Sequence, residues 1–335
     1  MTTVADHAKL KTLLCQRAQE LGIDRIGFCA ATGFPEQDAW LETARQEERT
    51  CGLEPTCQTP SSRLPNARSF IVIAVNYFQP IPPPSAAPAG RISRSALGQD
   101  YHVWVTALLN ALAKPLEEGG ARWVCGTDNW PFPERELARR AGLGHIGKNG
   151  SLIVPRLGSW VFIGAILCDI ELPPDAPLEG NPCAGCDRCQ QACPTGAIDS
   201  ARRFNARRCI SFLTQCKQGI PAELREKMGR AIYGCDCCQE VCPLNREAPV
   251  MLTATEESLP PYPLLETLFH TTRQDLPATW EKSAAFWRGL HILRRNALIA
   301  AHNTAPELAK TLLHEALNDL SPLVRDTALT ILAGR

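Results

Sequence analysis

Four cysteines, Cys183, Cys186, Cys189 and Cys193, stand in the stretch NPCAGCDRCQQACP with the spacing CxxCxxCxxxCP. Thiolates set two residues apart wrap three corners of one 4Fe-4S cubane. The longer gap and its proline swing the fourth sulfur toward a second cluster, as in bacterial ferredoxin runs. A second set lies in GCDCCQEVCP, where Cys235, Cys238 and Cys242 repeat the CxxCxxxCP part. Its first cysteine is missing, because Ile232 fills the slot three residues before Cys235. Cys209, Cys216 and Cys237 are the candidate replacements. Cys209 is preferred: Cys237 adjoins Cys238 and is poorly placed to aim at the same iron face, whereas Cys209 follows directly on the first motif. If the fourth cysteine of each run crosses over, cluster one takes Cys183, Cys186, Cys189 and Cys242, and cluster two takes Cys193, Cys209, Cys235 and Cys238. Zinc is the alternative, but zinc sites use CxxC pairs at longer separation and have no CP ending.

An α+β arrangement must carry these motifs. Residues 4 to 21 have apolar positions at helical spacing and stop at Gly22, and Ile23 to Cys29 reads as a strand. Trp40 to Glu48 is expected to be helical and Thr50 to Pro65 irregular. SFIVIAVNYF, from Ser69 to Phe78, is the best buried strand, and the proline-rich Pro80 to Gly90 is a stiff loop. Tyr101 to Glu118 is expected to be a helix, Arg122 to Cys125 a strand, and Glu134 to Ala141 a helix closed by Gly142. Ser151 to Pro155 and Ser159 to Cys168 read as a hairpin. Beyond Leu264 the strand signals vanish, and the echo of LRRNAL, starting at Leu293, in VRDTAL, starting at Val324, suggests HEAT-type helical pairs. The expected division is 1–175 as an α+β domain, 176–247 as a ferredoxin-like module and 248–335 as a helical tail.

Composition bounds the function. The chain has 335 residues, 44% of them hydrophobic, enough for two or three cores, and no apolar run approaches the 18 residues of a membrane span. Its formal net charge is zero, so a nucleic-acid partner must be met by local patches. Arg202, Arg203, Arg207 and Arg208 form one such group, and Arg288, Arg294 and Arg295 another. Half of the sixteen cysteines fall in cluster spacing, which suits a reducing compartment, and the N-terminus lacks an export signal, so a cytoplasmic location is expected. The other eight, Cys15, Cys29, Cys51, Cys57, Cys125, Cys168, Cys216 and Cys237, are expected mostly as small buried hydrophobes. AGLGHIGKNG fails the spacing of a P-loop and of a dinucleotide fingerprint, but its glycines allow a close backbone approach to a ligand.

The blocks TDNWPFPERELARRAGLGHIGKNGSLI, SWVFIGAIL, NPCAGCDRCQQACPTGAI, RRCISFLTQ and YGCDCCQEVCPLNR together resemble the epoxyqueuosine reductases, cobalamin and iron-sulfur enzymes that complete queuosine in tRNA. The resemblance runs from about residue 4 to the C-terminus and is densest from 122 to 247. It implies a flavin-reductase-like, cobalamin-processing-like N-terminal domain, two 4Fe-4S clusters on the eight assigned cysteines and a HEAT-like tail that helps hold the anticodon arm. It also implies that cobalamin cycles between cob(II)alamin and cob(I)alamin. The family's proton-donating aspartate falls on Asp128. Cobalamin contacts are expected at Arg63, Ser93, Asp128, Lys148, Asn149, Ser151 and Ser211, and tRNA contacts at Arg208, Lys217, Arg288, Arg294 and Arg295. His145 stands where the family usually has tryptophan, and Ser93 where some relatives carry a cysteine near cobalt.

Removing an epoxide oxygen as water needs two electrons and protons; the clusters feed the electrons singly and a carboxylic acid supplies a proton. Asp128 beside a large apolar macrocycle is expected to have a raised pKa, whereas as a plain residue it would merely cap a turn or helix. The implied partners are a tRNA of GUN-type anticodon carrying epoxyqueuosine and an electron donor such as flavodoxin or ferredoxin, with no membrane, and the chain is expected to be a monomer. A corrinoid reductive dehalogenase and a non-catalytic cobalamin or electron carrier are the alternatives.

Overall fold

The computed structural model describes residues 4–52, 58–199, 204–251 and 259–334. They divide into two compact units. The first comprises Met1–Phe78, Tyr101–Asp187 and Val241–Met251, and the second Gln79–Asp100, Arg188–Glu240 and Leu252–Arg335.

In the first unit the opening helix α1 (Val4–Glu20) is followed by strands β1 (Arg25–Ala30) and β2 (Ser69–Asn76), and helix α2 (Tyr101–Leu112) by strand β3 (Trp123–Gly126). Helix α3 (Glu134–Arg140) and strand β4 (Val161–Cys168) complete it. The strands form one antiparallel sheet in the order β1-β2-β4-β3. Every residue of β2 is buried. Ile71, Ile73 and Val75 pack with Leu14 of α1 and Leu109 of α2, while Phe70, Val72 and Ala74 pack with Leu137 and Ala138 of α3. Two covered faces explain the unbroken apolar run, since each such side chain contributes about 1.5–3 kcal/mol by burial. Gly164 of β4 permits the close approach of α2, because a Cβ there would lie 2.9 Å from Val105 and 3.0 Å from Leu109.

Two expectations are corrected here. The helix starting at Tyr101 stops at Leu112 and resumes over Lys114–Glu118, as Pro115 has no N–H to continue the ladder. Leu152–Ile153 pairs with His145–Ile146, not with β4, whose two edges are taken by β2 and β3. The irregular stretch from Thr50 includes a short helix, Pro60–Arg63, and its residues 53–57, Cys57 among them, lie outside the described residues.

The second unit pairs Arg91–Ile92 in parallel with Ala231–Tyr233. Three helices, α4 (Leu290–Thr304), α5 (Pro306–Ala316) and α6 (Pro322–Leu332), pack together. The repeated alanines of the sequence echo, Ala297 and Ala328, are both fully buried. Among the described residues no helix is long and apolar enough to cross a membrane.

Candidate active site and cluster ligands

Strand β3 ends at Gly126, where a Cβ would meet the Trp130 ring at 2.6 Å, so only glycine lets the loop fold back. Thr127 fastens the loop by donating its hydroxyl to the Ile163 carbonyl (2.7 Å). Asp128 then takes φ 55, a left-handed conformation that costs a residue other than glycine on the order of 1–3 kcal/mol. Its side chain is 62% exposed, and its Oδ2 accepts from the Tyr101 hydroxyl (2.7 Å) and lies 3.4 Å from Nε2 of His102. Tyr101 and His102 open α2, and their rings continue a stack in which Phe162 lies 4.1 Å from Tyr101 and 4.3 Å from Tyr77. On the backbone side, the Asp128 N–H donates to Oε1 of Glu134 (2.6 Å), the first residue of α3.

The two carboxyls have opposite acidities. Partial desolvation resists charge on Asp128, but the adjacent His102, the Tyr101 hydrogen bond and the charges of His102 and Arg135 outweigh it and hold the pKa below the ordinary range. For Glu134, burial first and the neighbouring Asp128 charge second push the pKa up to about 8. Polar partners surround Asp128 and lower its pKa, the direction opposite to that expected beside a macrocycle, and the neutral acid of the pair is Glu134. Tyr101, His102 and Glu134 were not anticipated. Only their proximity in the fold marks them, although QDYH at a helix start and Glu six residues after Asp128 were visible.

The predicted cofactor residues fall into both units. In the first, Lys148 donates to the Cys186 carbonyl (2.5 Å), so it is tied to the cysteine loop rather than simply solvated. Buried Asn149 accepts from the Ser151 N–H (3.2 Å), and Arg135 closes this turn by donating to the Gly150 carbonyl (2.9 Å). His145 sits in a two-residue strand, and Arg63 is exposed. In the second unit Ser93 is buried and donates to Asp236 Oδ1 (2.6 Å), while Ser211 lies in the short helix Ile210–Leu213.

In the first unit Cys242 lies beside Cys183 and Cys186; burial raises its pKa, against the backbone bond at Leu244, and the proximity of those two sulfurs adds to the rise. In the second, Cys189 lies in the helix Arg188–Gln191, and the Cys193 sulfur accepts from the Ala197 N–H (3.3 Å). Cys235 is pushed strongly up, first by its hydrogen bond with Cys237 and then by burial, with Cys209 among the charges that act on it. Cys216 is spent elsewhere: it is buried, and its thiol contacts the Leu213 carbonyl at 3.2 Å. Among the described residues no three or more His, Cys, Asp or Glu side chains are gathered closely enough to hold a metal ion, so the thiol neighbours seen are Cys183 and Cys186 about Cys242, and Cys209 and Cys237 about Cys235. Of the remaining cysteines Cys29, Cys168 and Cys216 are buried, but Cys15, Cys51, Cys125 and Cys237 are partly exposed, fewer buried than expected.

The basic groups divide sharply. Arg202 and Arg203 lie outside the described residues. Arg207 is exposed, and Arg208 donates to the Thr195 carbonyl (2.9 Å). Arg295 is corrected as a tRNA contact: it is fully buried and donates to the carbonyls of Leu213, Cys216 and Gln218. Arg294 pairs with Asp319 at 2.5 Å. Lys217 and Arg288, by contrast, line an open cleft of about 490 Å³ with His291, Asp326 and the first turn of α6. Arg288 stacks on half-exposed Trp287 at 3.7 Å, and its Nε has no hydrogen-bond partner among the described residues.

Residues 182–245 match the family "4Fe-4S double cluster binding domain", and residues 58–128 match "Epoxyqueuosine reductase QueG, DUF1730". An epoxyqueuosine reductase of Staphylococcus aureus is 35% identical over 96% of this chain and 88% of its own length. A crystal structure of an epoxyqueuosine reductase with an epoxyqueuosine-modified tRNA-Tyr stem loop superposes with a TM-score of 0.91 at 33% identity, covering 97% of this chain and 89% of that one. The Bacillus subtilis enzyme, solved with its catalytic aspartate loop swung out of the active site, gives 0.88 at 32% identity, covering 97% and 89%. With the cysteine motifs and the sheet already in place, these likenesses over nearly the whole length show that the chain belongs to the epoxyqueuosine reductase family.

Proposed function

We propose that the chain reduces epoxyqueuosine to queuosine in the anticodon loop of a tRNA with a GUN-type anticodon. The reaction takes up two electrons and two protons and releases the epoxide oxygen as water. The observation that carries the site assignment is the Asp128 carboxylate, open to solvent on one side and held on the other by Tyr101 and His102. An aromatic stack beside an open carboxylate suits a broad, flat corrin with an amide rim. Cobalamin, when bound, supplies the cobalt centre that delivers electrons to the carbon–oxygen bond. Asn149 and Ser151 beside the glycines of their turn, together with Arg63, Ser93, Lys148 and Ser211, are the proposed cofactor residues, with Lys148 acting through the Cys186 carbonyl.

Asp128 performs the proton step. Its ionised state in the open site changes when tRNA covers the exposed face, because removal of water favours the neutral carboxyl. That carboxyl then gives its proton to the departing oxygen, while Tyr101 and His102 keep Oδ2 aimed. Cys183, Cys186, Cys189 and Cys242 would hold one 4Fe-4S cluster and Cys193, Cys209, Cys235 and Cys238 the other, and the pair would pass electrons singly from a flavodoxin or ferredoxin class donor. The functional segments are 1–175 for the flavin-reductase-like cobalamin domain, 176–247 for the clusters and 248–335 for the HEAT-like tail. The working form is a cytoplasmic monomer. The cleft of Lys217, Arg288 and His291, with Trp287 beside it, takes a tRNA backbone phosphate, and Arg207 and Arg208 offer further contacts.

The test is Asp128→Asn in anaerobic single turnover with epoxyqueuosine-containing tRNA. Cluster and cobalamin content should stay at the wild-type level while product formation falls by roughly 100-fold or more, the usual worth of general acid catalysis. Near-normal turnover would remove Asp128 from the mechanism.

A further inference from the structure

Asp128 cannot hold its place by packing, because its side chain is largely exposed and its backbone lies in the left-handed region at φ 55. The loop is pinned at either end, by the Thr127 hydroxyl on the Ile163 carbonyl and by buried Trp130 and Phe132 in the core. Between these pins the Asp128 carbonyl accepts from the Trp130 N–H (2.8 Å), and its N–H is held from outside the turn by the 2.6 Å bond to Oε1 of Glu134. Glu134 is itself fixed as the first residue of α3, whose next residue, Arg135, is anchored on the Gly150 carbonyl (2.9 Å). We propose that Glu134 is a positioning residue of the reductase: its carboxyl oxygen locks the left-handed Asp128 peptide so that the Asp128 carboxyl stays presented between Tyr101 and His102.

A second carboxylate beside Asp128 would repel it at this range. Burial and that same Asp128 charge move Glu134 up to about 8, so at neutral pH it accepts the N–H bond mostly as a neutral acid. A neutral amide oxygen can do the same work. The geometry therefore separates positioning from proton supply, since Glu134→Gln keeps the acceptor but has no acidic proton to give.

The inference rests on the reading of Asp128 as the proton donor, and the experiment keeps the two apart. Amide hydrogen exchange on the full chain, which needs no substrate, should show faster exchange at Asp128 in Glu134→Ala, while Glu134→Gln matches the wild type. In anaerobic single turnover Glu134→Ala should slow product formation by about 10-fold or more with tRNA affinity and iron content unchanged, and Glu134→Gln should stay within about 3-fold of wild type. Exchange at Asp128 that is unaltered in Glu134→Ala would overturn the proposal. So would a Gln variant as slow as the Ala variant with the loop still protected, which would make Glu134 a proton source instead. Active Asp128→Asn run alongside would refute the donor reading alone, leaving the exchange result to judge Glu134.

Discussion

Asp128 and Glu134 share one stretch of backbone and split their acidity in opposite directions. The raised partner leaves a signature in the pH dependence of stability. Glu134 ionises at about 8 in the fold, against an ordinary value of 4.5, so between those values the folded chain keeps a proton that the unfolded chain has released. Its contribution therefore makes stability fall as pH rises through this window, with the loss complete above about 8. Glu134→Gln has no such proton. Its melting temperature relative to wild type should climb from pH 5 to pH 8, and a constant difference across that range would show that Glu134 titrates normally. The motif containing Asp128 was legible in the sequence because the block TDNWPFPERE resembles that of the epoxyqueuosine reductases. The direction of its pKa was not legible, since that depends on Tyr101 and His102, brought in from 27 and 26 residues away by α2.

Helix α4 shows why a basic run misleads. Arg294 and Arg295 are neighbours in sequence, but successive helical residues point about 100° apart. One reaches Asp319, and the other lies wholly inside, where it and Asn296 tie down carbonyls of Leu213, Thr214, Cys216, Gln218 and Ile232. Arg295→Ala should cost about 3 kcal/mol or more, because three buried carbonyls lose a charged donor, and the urea midpoint should drop accordingly. Lys217→Ala with Arg288→Ala should instead melt like wild type. In this double variant the log-log salt slope of tRNA affinity should be shallower by about one to two units. An unchanged slope would place the phosphate contacts elsewhere. Strand β2 was readable because two covered faces demand a continuous apolar run, whereas the pairing of Leu152–Ile153 was not, because adjacency in sequence does not reveal that β4 has both edges occupied.

At the scale of the whole molecule the proposed cysteine wiring spans both motifs. Cys209→Ser should lose about half the iron of the anaerobically purified protein, while Cys216→Ser and Cys237→Ser keep nearly all of it. Loss in the Cys237 variant with retention in the Cys209 variant would reverse the assignment. The motif spacing foretold two clusters. It did not foretell that the chain would return to its first unit with Val241–Met251 after building part of the second. That return carries both Cys242 and Asn245, whose side chain accepts from the Ser159 N–H (2.6 Å) and donates to the Ser159 hydroxyl (2.9 Å). Gly158 makes room for it, since a Cβ there would lie 2.1 Å from the Asn245 oxygen. Synthesis runs from the N-terminus, so the clamp reaches Ser159 only 86 residues after Ser159 has left the ribosome. The strands of the first unit are therefore all synthesised before its last thiol, and iron loading at Cys242, as proposed, must wait until translation has passed the second cysteine motif.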